Sequence, residues 1–333
     1  MKKISIYFSM LFALVALSSC SYSEDDLTPS DIKSSYQLPQ GNHDYDATIQ
    51  AFYDNYGIYL LYKFADKDAY WTPTGWKNGV ATTDSVTGKD GFIIKPADEA
   101  YVGQQLALLN EVWFSSLGDN VKKQLLPVKI LLCSEVDSIK MNYVFEPTFH
   151  MSYDPYPVLA WYNYDNICVS YGSSAVTTIT PDEKHYLRFK LMQVWAEYIC
   201  ERKVEPSTKF KSIIDYSNKD VTGAYGPEQS IAVGLLNDGY NSSADKNWLL
   251  FLKMMLCFPE SWLMEDPGDL SSWYSWTLYI NGGSQYDYTG NFHGILTDTK
   301  DPNGLLRQQY NVVRQYFIDN YNFDPQTIGN SNE

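Results

Sequence analysis

Apolar positions along this chain repeat with two different periods, and the switches between them sketch a fold. From Asp44 to Lys63 they fall at Ile49, Phe52, Tyr53, Tyr56 and Leu60, three or four residues apart, which predicts a helix with one buried stripe. A second helix is predicted from about Pro96, with Asp98 and Glu99 in its first turn, to Leu117, where Gly118 stops it. The unbroken run Val128-Lys129-Ile130-Leu131-Leu132-Cys133 reads as a short buried strand. Two more strands are predicted around 143–151 and 158–171, parted by the turn-rich Asp154-Pro155-Tyr156-Pro157.

The clearest helix start is Thr180-Pro181-Asp182-Glu183. Thr180 is a capping residue, Pro181 suits the first helical position, and Glu183 closes a capping box. The helix is expected to reach about Lys203, with Leu191, Val194, Trp195 and Ile199 on inner faces. Two further helices are predicted over 245–258 and 303–321, while 66–92, rich in Gly, Thr, Asp and Trp, reads as a loop or hairpin. Strands come early, helices come late, and no repeat or domain-scale linker divides them. The pattern predicts one α+β domain over 44–333, a small sheet packed against a helical C-terminal half.

The N-terminus changes the picture. Lys2 and Lys3 precede an apolar run from Ile4 to Leu17, which closes on Leu17-Ser18-Ser19-Cys20. A basic start, a run too short to span a bilayer comfortably and a small-residue end make residues 1–19 a secretory signal peptide. Cys20 stands where a lipobox cysteine is acylated, so outer-membrane lipid is the expected partner of this residue. Two or three acyl chains hold a protein on a membrane where one binds only reversibly. Residues 20–43, polar and broken by Pro29, Pro39 and Gly41, are expected to be a flexible lipidated tether. The acidic Glu24-Asp25-Asp26 run resembles the export signal of surface lipoproteins, which implies a lipid-anchored location on the cell surface.

Composition then removes classes of partner. Residues 1–19 carry two Lys and no acid, so cleavage would take the net charge from −15 to −17. Such a chain repels phosphates, which excludes nucleic acid as a partner. Aromatics make up 16% of residues, with 28 Tyr and 9 Trp; they suit either core packing or a surface that grips peptides or stacks on glycans. Beyond Cys20, the cysteines Cys133, Cys168, Cys200 and Cys257 are widely spaced in apolar segments, open to pairing or to burial as thiols.

Standard catalytic signals are missing: the sequence has no GxGxxG, P-loop, GxSxG or HExxH. Its four histidines, His43, His150, His185 and His293, show no short metal-ligand spacing, which leaves only a site assembled from the scattered His150, His185 and His293. The run from Asp298 to Gly304 offers oxygen ligands like a calcium loop but lacks the downstream Glu, and reads as a helix-capping turn.

Several short motifs, in order, resemble those of the zinc-binding metallopeptidase-like lipoproteins of Bacteroidetes. They are Tyr53-Asp54-Asn55-Tyr56, Lys95-Pro96-Ala97-Asp98, Leu126-Pro127-Val128-Lys129-Ile130 and Gly239-Tyr240-Asn241-Ser242-Ser243. Pro259-Glu260-Ser261-Trp262, Val313-Arg314-Gln315-Tyr316-Phe317 and Asn322-Phe323-Asp324 complete the set. The resemblance implies a zincin-like domain. It also exposes a departure, because the family's metal helix carries His-Glu-x-x-His, and here Val194-Trp195-Ala196-Glu197-Tyr198 stands in its place. The family's later Asp-Phe-Ala-Glu element appears as Asn247-Trp248-Leu249-Leu250. Neither Val nor Tyr at these positions replaces the two His ligands, and Trp195 cannot take a proton from water.

The expectation is a degenerate member with no cofactor and no catalytic residue, a binding or accessory module. Trp195, Glu197, Tyr198, Tyr240 and Trp248 are its candidate ligand residues, for a peptide or glycan. At Trp195, Tyr198 and Trp248 aromatic rings either floor a groove or fill the space of the zinc. Glu197 is expected to pair along or beside its helix. Two alternatives stay open: a hydrolase whose site is marked by facing carboxylates or converging histidines, and a glycan-binding accessory of nutrient uptake.

Overall fold

The computed structural model describes residues 36–76, 91–266, 276–280, 283–287 and 292–331. The signal peptide, Cys20 and the tether as far as residue 35 lie outside the described residues, while Gln40, within the expected tether, accepts from the N–H of Tyr62 at 2.9 Å.

The first apolar stripe forms helix α1, Asp46–Tyr56, which is shorter than its pattern. Gly57 adopts a left-handed φ of 72° and donates its N–H to Tyr53 O, closing the helix with a backbone shape that costs a side-chain residue energy. The chain then turns into strand β1, Tyr59–Leu61, so Leu60 is a strand residue and not the last rung of a helix.

Strand β2, Gly91–Pro96, ends where the second helix was expected to begin. The N–H of Ala97 donates to Leu132 O and that of Asp98 to Gly172 O, so sheet hydrogen bonds claim the segment before a helix can. Helix α2 is only Val102–Val112, followed by a 3₁₀ turn at Phe114–Ser116 and by helix α3, Asp119–Leu125, which periodicity did not suggest.

Strand β3, Lys129–Val144, runs far past the six apolar residues that announced it. Its first part lies parallel to β1, and beyond it β2 continues the same edge antiparallel. Strand β4, His150–Pro157, covers the outer half of β3 antiparallel, with Asp154, Pro155, Tyr156 and Pro157 all in register. The predicted turn is therefore strand. Proline is tolerated there because β4 pairs with β3 alone, so its outward N–H positions need no partner. The reversal falls instead between Val144 and His150, inside what looked like one strand. The segment 158–171 likewise folds back on itself as β5, Ala160–Tyr162, antiparallel to β6, Asn166–Val169, which lies parallel to β3. Six strands thus make one curled mixed sheet with β3 as its spine.

Helix α4, Pro181–Arg202, starts as the capping box requires: Thr180 Oγ1 accepts from the N–H of Glu183, and Glu183 Oε2 accepts from that of Thr180. It packs on β5 and β6 with one face and on helix α5, Ala244–Cys257, with another, so its middle is apolar nearly all round. Short helical turns fill 208–232 and 260–263. Helix α6, Leu305–Tyr321, is capped by Asp301, whose carboxylate accepts from the N–H of Leu306 and Arg307, so the Asp298–Gly304 run caps a helix. Helix α7, Gln326–Asn330, closes the chain against α5. A backbone hairpin pairs 276–280 with 283–287, a pair of strands late in the chain that the early-strand reading did not include. The architecture is α+β. No helix among the described residues is long and apolar enough to cross a membrane.

Candidate functional site

Helix α4 carries the positions where a metal motif would stand, and its surroundings decide what they do. Trp195 is fully buried; its indole N–H donates to Leu125 O at 3.0 Å, and its ring meets Trp113 and Phe323 at centroid distances of 6.3 and 6.0 Å. Val194 is 9% exposed and Tyr198 2%, and burial pushes the Tyr198 hydroxyl up to about 12. Trp248 on α5 has no exposed surface and is wedged among Phe210, Tyr316 and Phe317. The notion of one aromatic groove floored by Trp195, Tyr198 and Trp248 is corrected: the rings diverge, because α4 is covered on two sides and successive positions face different neighbours.

The five candidate residues are partly brought together. Glu197 and Trp248 line a hollow of about 520 Å³ between α4 and α5, shared with Tyr162, Cys200, Glu201 and Asp245 among others. Glu197 binds Lys253 Nζ of α5 at 2.5 Å, so its partner lies on the neighbouring helix rather than along its own. Tyr240 lies outside the lining, 73% exposed and stacked on Tyr225 at 6.4 Å. Its neighbour Asn241 accepts a hydrogen bond from Lys246, which stands on the hollow's rim. Trp195 and Tyr198 do not line the hollow.

A second hollow, about 340 Å³, opens where β3 passes the start of α4, and periodicity gave no sign of it. Glu135 and Asp137, two apart on β3, share one face of the strand and both line this hollow. Lys95 on β2 binds Glu135 Oε2 at 2.7 Å. Burial, then the charge of Glu135, raises the Asp137 carboxyl to about 6. Across the hollow stand Leu159 and Tyr171, both with left-handed backbones at φ 64° and 75°. Such conformations cost side-chain residues energy and concentrate at functional sites. The sequence signal available in advance was the Glu135-Val136-Asp137 alternation alone.

That carboxyl implies a pH dependence. A folded pKa above the unfolded value means that the folded state holds the extra proton, so stability falls as pH rises from about 4 through about 6. Asp137→Asn is expected to stabilise the protein at pH 7.5 by about 1 kcal/mol after allowance for solvent screening, and to give no gain below pH 4. Urea melts at the two pH values measure this, and an equal gain at both would mean that the amide acts by something other than charge.

The histidines do not converge. His150 is exposed at the turn end of β4, and His185 is exposed in the early part of α4. His293 stacks on Trp262 at 5.0 Å and binds Glu265 at 3.1 Å. Among the described residues no three His, Cys, Asp or Glu side chains are placed to hold a metal ion. Cys133 and Cys168 are buried thiols, Cys200 is a largely covered one, and Cys257 points its thiol at Phe189 O.

No protein-family model and no curated protein matches this chain. Among solved structures it is similar to one described as a putative zinc-binding metallo-peptidase from Bacteroides caccae, at 11% identity and a TM-score of 0.44, over 88% of this chain and 92% of that one.

Proposed function

We propose that this chain is a lipid-anchored surface protein of zincin-like, metallopeptidase-like fold that has given up its zinc site and works as a binding module. The observation that carries the reading is the packing of α4: where the family motif would place two His and a Glu, Val194, Tyr198 and Trp195 are buried in apolar contacts. A metal site needs charged or polar ligands around an open position, and a side chain filling that space prevents both. The ordered motifs from Tyr53 to Asp324 support the family reading. The basic, apolar and Leu-Ser-Ser-Cys succession at residues 2–20 supports the anchor.

The expected results are no stoichiometric zinc in the purified protein and, for Cys20→Ala, a move from membrane to soluble fraction with the fold intact. One zinc per chain would end the lost-site reading, and an unchanged membrane fraction would end the anchor. A hydrolase with a non-standard site has one observation in its favour, the paired carboxylates Glu135 and Asp137 in a hollow. Peptide or glycoside hydrolysis lost on Asp137→Asn would support it.

A further inference from the structure

We propose that the projecting end of the β3–β4 hairpin is a second membrane contact, its aromatic tip entering the interface of the bilayer that holds Cys20. The proposal goes beyond the binding-module reading and takes from the anchor reading only the place of the lipid.

The arm is amphipathic by strand alternation. Strand β2 last pairs with β3 at Gly91 and Ile139, so beyond Ile139 the arm consists, among the described residues, of β3 and β4 alone. Register sets Met141 opposite Tyr153 and Tyr143 opposite Met151, which puts all four on one face. The Tyr153 hydroxyl donates to Met141 Sδ across that face at 3.6 Å. The other face is polar: Asn142 donates to Asp154 and to the Tyr156 hydroxyl, and Ser152 Oγ donates to Asp154.

At the turn the apolar face ends in three rings. Phe149 stacks on Tyr143 at a centroid distance of 6.2 Å and meets Phe145 at 5.6 Å. Tyr143 is 55% exposed, Phe145 72% and Phe149 61%. Contiguous exposed apolar surface of this kind marks a contact with a protein or a membrane.

Shape and charge favour the membrane. At these exposures the three rings offer well under the roughly 800 Å² per partner that a stable protein interface needs, while a fluid bilayer closes around a small convex group. Glu146 is the one Asp, Glu, Lys or Arg between Met141 and Tyr153, in a chain where charged residues make up 20%. Phe and Tyr gain from the headgroup boundary, where a ring is buried and a hydroxyl stays wet. The outward backbone groups of a two-stranded arm, and the Glu146 carboxylate, still need water. They limit entry to about 5–10 Å, the depth of an interfacial segment.

The chain outside the domain is long enough to permit this. Gln40 is tied to the residues just past β1, accepting from the N–H of Tyr62 and donating to Lys63 O. Strand β1 runs parallel to β3 with Leu61 beside Leu131, so β3 leaves the point of entry in the direction of the tip. Val144 lies 13 residues past Leu131, at most about 44 Å along the strand. The 18 residues from Cys20 to Gln37 span up to about 60 Å when extended, which lets the acyl chains and the tip meet one bilayer plane.

The test uses the mature chain from residue 20 with Cys20→Ala, which carries no lipid, and sedimentation with phosphatidylcholine vesicles. Reversible binding at millimolar lipid is expected. Phe145→Ser with Phe149→Ser should weaken it at least about tenfold, Phe145→Trp should strengthen it, and Met264→Ser, an exposed apolar position off the arm, should leave it unchanged. The melting temperature should stay the same throughout, since the rings support no core. In the acylated chain, an environment-sensitive dye on Thr148→Cys should brighten on reconstitution into the same vesicles, with the parent chain taken through the labelling as blank. Absent vesicle binding, binding indifferent to the Phe pair, or a dye that stays dark overturns the proposal. So does a dimer in sedimentation velocity that the Phe pair breaks, which would make the tip a contact between copies. The anchor reading is tested apart from this, by mass spectrometry of Cys20: an acylated Cys20 beside a dark tip leaves the anchor standing, and vesicle binding by a chain whose Cys20 is never acylated leaves the tip.

Discussion

Trp195→Ala is expected to cost the fold about 3–5 kcal/mol, the range for removing a large aromatic side chain from a packed core. The residue is fully enclosed, its ring touches Trp113 and Phe323, and its N–H is what Leu125 O accepts from. Truncation would leave a void between α4, α3 and the chain end together with an unsatisfied carbonyl. Installing a His-Glu-x-x-His motif with Val194→His, Trp195→Glu and Tyr198→His should cost still more, because two imidazoles and a carboxylate would be buried in apolar surroundings. Urea unfolding followed by far-ultraviolet circular dichroism measures both. A loss below about 1 kcal/mol for Trp195→Ala would show that the indole is not a core element. Zinc uptake by a folded triple variant would show that the site is closed by side chains alone.

The second large effect is expected at Arg314 on α6. Its guanidinium donates to both carboxylate oxygens of Asp324, at 2.9 and 2.7 Å, and to Glu260 Oε1 at 2.7 Å. Asp324, then the neighbouring acceptors, holds its pKa above the usual arginine range. Tyr310, beside it, donates to Gln326 Oε1 at 2.9 Å, and Gln326 donates to Phe258 O at 2.8 Å, so one network joins α6, the 260–263 turn and α7. Arg314→Met keeps much of the stem but leaves two partly buried carboxylates without their cation. The side chains are a quarter to a third exposed, which discounts the loss to about 2–3 kcal/mol. Arg314→Lys should recover only part, since an ammonium cannot serve Asp324 bidentately and Glu260 together. Full recovery by Lys would reduce the role to simple charge. Thermal melts of the two variants at one salt concentration decide between them.

Arg314 also shows how the short motifs work. Glu260, Arg314 and Asp324 lie in separate short segments of the sequence, and three-dimensional structure joins them into a single clamp. Gly239 belongs to another such motif and is constrained in the same way: a Cβ there would fall 1.9 Å from Val221 O. These positions read as isolated words in the sequence because the contacts that require them join residues ten or more positions apart, 54 for Arg314 and Glu260.

What the sequence determined by itself is what local chemistry determines. Thr180, Pro181 and Glu183 set the start of α4 because capping is a matter of three successive residues, and the apolar rows of 245–258 and 303–321 set two further helices. The inner faces of Leu191, Val194, Trp195 and Ile199 followed from helical spacing, and the α+β class from the order of elements. The tertiary structure alone decided the sheet. Whether Asp154–Pro157 is turn or strand depends on whether β4 has one neighbour or two, and no property of those four residues records that. Pro96 ends a strand rather than opening a helix because Leu132 O and Gly172 O lie within reach of the next two N–H groups. The candidate site was decided at the same level. Glu197 and Trp248 line one hollow while Trp195 and Tyr198 enter the core, since the direction of each side chain from α4 or α5 acquires meaning only when its neighbours are in place. The charge balance of that hollow, with Lys253 and Arg202 engaged and Glu205 and Asp245 unanswered, is a property of packing geometry that composition averages away.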